Sequence, residues 1–225
     1  AIEAELGYRD PCLTTAELFH FFAIEQRPGQ PAPRLPLARW DQGTIVTPDV
    51  TPYKLRKVAI LNGAHTALCP LALLAGIETV FEAVSHPAGA AFVRRVLQTE
   101  IIPFLDLPET ELQDFASATL RRFANPFISH RWYDISLNGL SKIRHRNLDR
   151  MNAYEALYHQ PSPLLTLSLA AWLAFYLGQF KGSDALPPRD SPDTMARIYG
   201  IRGLTPQEQV NAFLAEPAFW GHPLA

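Results

Sequence analysis

The chain has 225 residues, a formal net charge of -2, 48% hydrophobic and 19% charged residues. That length suits one large domain, or one domain with an appendage, and can bury a core without disulfide or metal staples. Low charge with high apolar content excludes disorder and implies that some apolar surface is covered by something else. The near-neutral balance excludes a general electrostatic pull on nucleic acid. Cys12 and Cys69 are too few for a disulfide scaffold and match no zinc spacing, which fits a reduced, cytoplasmic protein. No signal peptide is visible. The longest apolar run, Leu164 to Leu177, is interrupted by Thr166 and Ser168 and is shorter than the roughly 20 residues of a membrane span, so no membrane segment is expected.

In chain order, Thr14 to Glu17 can cap one helical turn. Leu18 to Ile24 and Gly43 to Val46 read as short strands, and Gln26 to Pro36 is a proline-rich loop between them. From Tyr53 onward the pattern is helical. One helix runs through Tyr53 to Pro70. Another follows Pro87 and carries Phe92, Val93, Val96, Leu97 and Ile101 up to Pro103. Glu109 to Phe123 repeats apolar residues at helical spacing. Asn125-Pro126 opens a helix expected to run to about Leu137. Ser162-Pro163 opens the apolar helix, and Thr205-Pro206-Gln207-Glu208 is a capping box with proline at the first helical position. The expected organisation is an entry segment over residues 1–52 with short strands, and a helical substrate and catalytic domain over residues 53–225.

The stretch from Tyr53 to Pro70 carries the chemistry. At about 100° per residue, with Lys57 at zero, His65 falls near 80° and Asn62 near 140°. Ile60, Leu61, Ala64 and Leu68 form an apolar stripe next to them. An amine, an amide and an imidazole thus share one side of a helix at the border of its buried face. Asn62 and Gly63 lower helix propensity, glycine by up to about 1 kcal/mol, so helix stability does not explain them. A lysine desolvated against an apolar stripe can give or take a proton near neutral pH. Asn62 and His65 can donate hydrogen bonds to the same oxygen. The alternative is a snorkelling lysine, a satisfied core histidine and a capping asparagine. The other histidines show no paired spacing, and no metal site is expected.

Lys57-x4-Asn62-x2-His65 resembles the catalytic signature of the polyol-specific long-chain dehydrogenases, the mannitol dehydrogenase family, and within it the uronate branch of tagaturonate reductases. Leu61-Asn-Gly-Ala-His-Thr-Ala-Leu68, Ala75-Gly-Ile77, Ile101-Ile-Pro103, Leu105-Asp-Leu-Pro108, Arg122-Phe-x-Asn-Pro126, Leu137-Asn-Gly139 and Ala174-Phe-Tyr176 extend the resemblance over nearly the whole chain. It implies a mainly α domain like the C-terminal half of 6-phosphogluconate dehydrogenase. It also implies an NAD-dependent, metal-independent exchange between a ketone and a secondary alcohol. Lys57 would be the general acid/base, with Asn62 and His65 orienting the oxygen. Lys142 matches a substrate-contacting lysine. The sugar dehydrogenases carry an arginine eight residues before that lysine, where this chain has Asp134.

Lys142-Ile-Arg144-His145-Arg146 places four potential cations within five residues. A solvated basic helix face is one reading. The other is that Lys142 and one of Arg144 or Arg146 bind a uronate carboxylate, arginine being suited to bidentate contact. No Gly-x-Gly-x-x-Gly and no strand–glycine turn–helix unit occurs, and the chain begins at Ala1 rather than Met. The expectation is therefore the C-terminal half of a tagaturonate/altronate oxidoreductase. Its N-terminal Rossmann domain, which would hold NAD, is absent from this chain, and the half alone would be inactive. Fructuronate or mannitol is the alternative substrate within the family. A stand-alone, non-catalytic helical binding or dimerisation module is the alternative outside it.

Overall fold

The computed structural model describes residues 2–13, 20–29, 43–179 and 186–224. The chain divides into two compact units, Ala1–Tyr53 and Lys54–Ala225.

The first unit holds α1 (Ile2–Leu6) and two parallel strands, β1 (Phe22–Glu25) and β2 (Thr44–Thr47), with Phe22 opposite Thr44 and Glu25 opposite Thr47. The ladder starts at Gly43, whose carbonyl accepts from the Phe22 amide at 2.8 Å. A Cβ at Gly43 would lie 2.4 Å from the His20 carbonyl oxygen, so glycine is required for this approach. Both strands sit close to their expected places. Thr14 to Glu17, Leu18, Phe19 and most of the proline-rich loop lie outside the described residues.

The second unit is helical. Its first helix, α2 (Thr51–Leu74), begins in the entry segment and is the longest apolar helix of the described chain, longer than the run at Leu164 to Leu177. Its mean hydropathy of 1.3 would suit a membrane, but 67% of that window is buried within the protein. It is a core helix in its C-terminal half, where it is enclosed by its neighbours, while its first turns carry exposed lysines. Then come α3 (Val80–Ser85), α4 (Pro87–Val96), α5 (Glu109–Phe123), α6 (Trp132–Ser136), α7 (Gly139–Arg146) and α8 (Leu148–Tyr158). The last four are α9 (Pro163–Tyr176), α10 (Pro192–Ile201), α11 (Pro206–Ala215) and α12 (Pro217–Trp220). The domain is mainly α, as the sequence implies. The C-terminal half of α2 packs on α9 above all, then on α6, α4 and α7. Every residue from Gly63 to Pro70 is buried.

The helix starts read from proline hold at Pro87, Pro163 and Pro206. The Thr205–Glu208 capping box forms, with the Glu208 carboxylate accepting from the Thr205 amide at 2.9 Å. The helix expected from Asn125-Pro126 to Leu137 does not form before Trp132. Asn125 Oδ1 instead accepts from the Phe127 amide at 3.0 Å, closing an Asx turn. Residues 130–132 then run extended beside Glu78–Val80. Val80 N donates to the His130 carbonyl and Trp132 N to the Glu78 carbonyl, both at 2.9 Å. Only Trp132–Ser136 is helical.

Pro70 lies inside α2 and offers no N–H, so the Thr66 carbonyl four residues earlier loses its helical donor. The Trp172 indole N–H of α9 donates to that carbonyl at 3.0 Å. The helix continues to Leu74, and the gap in its ladder becomes a tie between the two most closely packed helices. Gly139 serves the same contact, because a Cβ there would lie 2.4 Å from the Trp172 ring. The preceding Asn138 is left-handed at φ 54°, a conformation asparagine tolerates better than most residues.

Candidate active site

Lys57, Asn62 and His65 all ride on α2, and the winding of that helix decides how they meet. Lys57–Asn62 is wound as a π-helix, with hydrogen bonds running five residues rather than four. Five residues then make little more than one turn, and Asn62 returns towards the side of Lys57. Regular α winding would turn it away by about 140°. The α-helix resumes at Gly63, and His65 stands three residues past Asn62, close to one further turn. The spacing of five and then three matches one π turn followed by one α turn.

His65 is 8% exposed. Its ring stacks on Phe123 of α5 at 4.0 Å between centroids. The His130 ring meets it edge-on at 5.0 Å, and Trp132 at 6.1 Å. Burial pushes the His65 pKa down to about 3, and the positive charges of His130, Arg146, Arg122 and Lys57 push the same way. The imidazole is therefore neutral at physiological pH. Its Nε2 is buried and has no hydrogen-bond partner among the described residues. A buried polar atom without a partner is costly, and this one lies close enough to Lys57 to feel its charge. A satisfied core histidine is not what the structure contains.

Lys57 is solvent-exposed on its open side, yet its pKa lies below the ordinary lysine value. Partial burial of the ammonium is the main cause, followed by the charges of Arg146 and Arg122. The groups that shift Lys57 and His65 are all basic, and no carboxylate is among them. Behind the three residues, Thr66 Oγ1 donates to the Asn62 carbonyl at 2.9 Å. Arg146 Nη1 donates to Thr66 Oγ1 at 3.1 Å, and Asn147 Nδ2 donates to the Gly63 carbonyl at 3.2 Å. The end of α7 is thus bonded to the turn that carries Asn62 and His65. Gly63 is not required sterically. A Cβ there would meet Asn147, Arg146 and Val58 at 3.5 to 3.6 Å, ordinary contact.

The three candidate substrate contacts part company. Lys142 and Arg146 lie four apart on α7 and share a face. Lys142 Nζ donates to the Ile135 carbonyl at 2.7 Å, and its pKa is lowered by burial first and then by Arg146. Arg144, two residues from each, points elsewhere: a Cβ on Gly221 would lie 2.4 Å from its Nη2, so its guanidinium covers the C-terminal turn. Sequence reasoning gave no site role to Arg122 and Phe123, which it noted only as part of a motif, or to His130; all three act on His65 from α5 and the following turn. It also missed Arg189, which neighbours Lys142. The i, i+4 rule would have separated Arg146 from Arg144. No local signal points to His130 or Arg189.

Such an arrangement can protonate or deprotonate an oxygen at Lys57 and hold that oxygen with Asn62 and His65 N–H donors. Surplus positive charge nearby suits an anionic ligand. Among the described residues no group of three or more His, Cys, Asp or Glu could hold a metal. Nor do they contain a glycine turn between strand and helix that could cradle a dinucleotide. An apolar cavity of about 270 Å³ between α9 and α11, lined by residues such as Leu173, Leu177 and Val210, shares no residue with this site.

Residues 49–225 match the mannitol dehydrogenase C-terminal domain, and the chain belongs to that family. It is 44% identical to the altronate oxidoreductase of Klebsiella pneumoniae strain 342 over 100% of its own length and 47% of that protein. The altronate oxidoreductase of Yersinia enterocolitica is 42% identical with the same coverage. The chain thus spans about half the length of the curated relatives it matches. In structure it resembles Pseudomonas fluorescens mannitol 2-dehydrogenase in a ternary complex with NAD and D-mannitol. The TM-score is 0.71 at 25% identity, over 88% of this chain and 39% of that one. A substrate-free D-sorbitol dehydrogenase shares the fold with a TM-score of 0.74 at 21% identity, over 94% of this chain and 46% of that one.

Proposed function

We propose that this chain is the substrate-binding and catalytic half of a cytoplasmic, nicotinamide-dependent oxidoreductase that interconverts the keto-uronate tagaturonate and the aldonate altronate. The observation that carries this reading is the pairing of a buried imidazole nitrogen that has no partner among the described residues with a lysine beside the positive charges of Arg146 and Arg122. The first element suits a carbonyl oxygen. The second suits a substrate that brings its own negative charge.

In the reducing direction Lys57 gives its proton to the carbonyl oxygen as that oxygen becomes an alcohol. Asn62 Nδ2 and His65 Nε2 donate hydrogen bonds to the same oxygen, where charge develops. His65 stays neutral throughout, because its box of Phe123, His130 and Trp132 disfavours the imidazolium. Lys142 and Arg146 receive the carboxylate, charge-assisted contacts that fix which carbon faces the hydride. A reduced nicotinamide held by a Rossmann domain in the other half of the longer protein would supply the hydride. A lysine below its ordinary pKa is the better acid here, and in the reverse direction a base available nearer neutral pH.

A purely structural module does not account for the orphaned nitrogen. Fructuronate remains the closest competing substrate, since it offers the same carboxylate. NADH oxidation by the complete protein with D-tagaturonate, D-fructuronate and D-fructose tests the reading. The expected order places D-tagaturonate first and D-fructose last. A preference for D-fructose, or no turnover of any of the three, overturns it.

A further inference from the structure

Helix α6 is a short plank that starts at the active site and ends at two cations. Its first residue, Trp132, lies edge-on to His65, and Cys69 Sγ of α2 donates to the Trp132 carbonyl at 3.5 Å. At its far end the Ile135 carbonyl accepts from Lys142 Nζ, and the Tyr133 carbonyl accepts from Arg189 Nη2. Carbonyls at a helix C-terminus attract cations, which explains one such contact. A second has brought two like charges together on five residues of helix.

Arg189 is built into this place. Its guanidinium lies over the Tyr133 ring at 3.8 Å. The Asp134 carboxylate accepts from the same Nη2 at 3.3 Å. The Asn138 amide donates to the Arg189 carbonyl at 2.9 Å and fixes its backbone. Both side-chain bonds use one nitrogen, and Nε is buried without a partner among the described residues. A guanidinium has five N–H donors, and its side chain is 37% exposed. Donors therefore remain for a ligand on the open side. Asp190, a carboxylate that acts on Lys142, accepts from the Tyr176 hydroxyl and from the Ser191 amide, which turns its lone pairs towards those donors.

We propose that Arg189 is a specificity residue, which binds the substrate's carboxylate together with Lys142 and is positioned for it by Asp134. Five residues of helix span about 7.5 Å, the scale of a six-carbon acid whose carbonyl lies at His65 and whose carboxylate lies at the far end of α6. The arginine comes from the segment before α10, not from the helix that carries Lys142. This inference rests on the keto-uronate reading above.

The test is steady-state kinetics of the complete protein with D-tagaturonate, for wild type, Arg189→Gln, Arg189→Lys and Asp134→Asn. Arg189→Gln is expected to raise KM about tenfold or more with kcat within threefold, the signature of lost binding rather than lost chemistry. Arg189→Lys, which keeps the charge, recovers part of the loss. Asp134→Asn raises KM by a smaller factor. A KM within twofold of wild type for Arg189→Gln overturns the inference and leaves the keto-uronate reading standing. So does a fall in kcat that equals the fall in kcat/KM, which a merely structural arginine would give. A wild-type enzyme that ignores D-tagaturonate and reduces D-fructose removes the keto-uronate reading and this inference with it.

Discussion

His65 shows how a single side chain can be both a cost to the fold and the centre of a site. With a folded pKa of about 3 against an ordinary 6.5, it binds a proton more readily when unfolded. Stability from this group is complete above pH 6.5 and is lost as pH falls towards 3, at up to about 1.4 kcal/mol per pH unit. Denaturant titrations between pH 6 and 5, followed by fluorescence of the buried Trp132, Trp172 and Trp220, should show that slope. His65→Phe should flatten it. An equal slope in both proteins would contradict the buried neutral imidazole. The spacing singled out His65, Asn62 and Lys57 as a candidate set. Their closer alignment was not legible there, because regular α winding leaves Asn62 about 140° from Lys57 and the π turn narrows that angle. The box around His65 was illegible for another reason: Phe123, His130 and Trp132 come from distant parts of the chain.

A second buried polar residue governs an element. After Val96 the chain passes into a π stretch, Leu97–Ile101, and a 3₁₀ turn, Ile102–Phe104. Glu100 in that stretch is 1% exposed. Its two oxygens accept from the Leu164 and Leu165 amides, each at 2.8 Å. Pro163 has no N–H, and Thr166 N donates to the Ser162 carbonyl at 3.0 Å. All the donors of the first turn of α9 are thereby satisfied, and the carboxylate faces the positive end of the helix dipole. The expectation is that Glu100→Ala lowers unfolding free energy by about 2–4 kcal/mol, since two buried donors lose their acceptor. Glu100→Gln, which keeps one acceptor oxygen, should lose less. Near-equal stability of all three proteins in urea would contradict this account. The start of α9 was legible from Ser162-Pro163, but its cap was not, because it arrives from sixty residues away. The false helix at Asn125-Pro126 has a related cause. The same dipeptide can start a helix or close an Asx turn, and the extended pairing of residues 130–132 with Glu78–Val80 decides between them.

At the scale of the molecule, one buried helix organises both the core and the chemistry. The residues of α2 from Gly63 to Pro70 are buried on all sides, while Lys57 at its earlier end remains open. The proline that interrupts its ladder is answered by Trp172, and the end of α7 is bonded to Gly63 and Thr66. The candidate site therefore sits on packed helices, with its groups held from several of them, as the proposed proton transfer would require. The mainly helical class, the family and the surplus positive charge were legible in sequence. Which cations join the site depended on helix faces and on the path of residues 186–190. The central claim is that Lys57 moves the proton, and kcat of Lys57→Ala in the complete protein with D-tagaturonate and NADH tests it most directly. The expected loss is about 10²- to 10⁴-fold at neutral pH. Also expected is disappearance of the wild-type decline in reduction rate as pH rises through the lowered lysine pKa. A kcat close to wild type, with the same pH dependence, would contradict it.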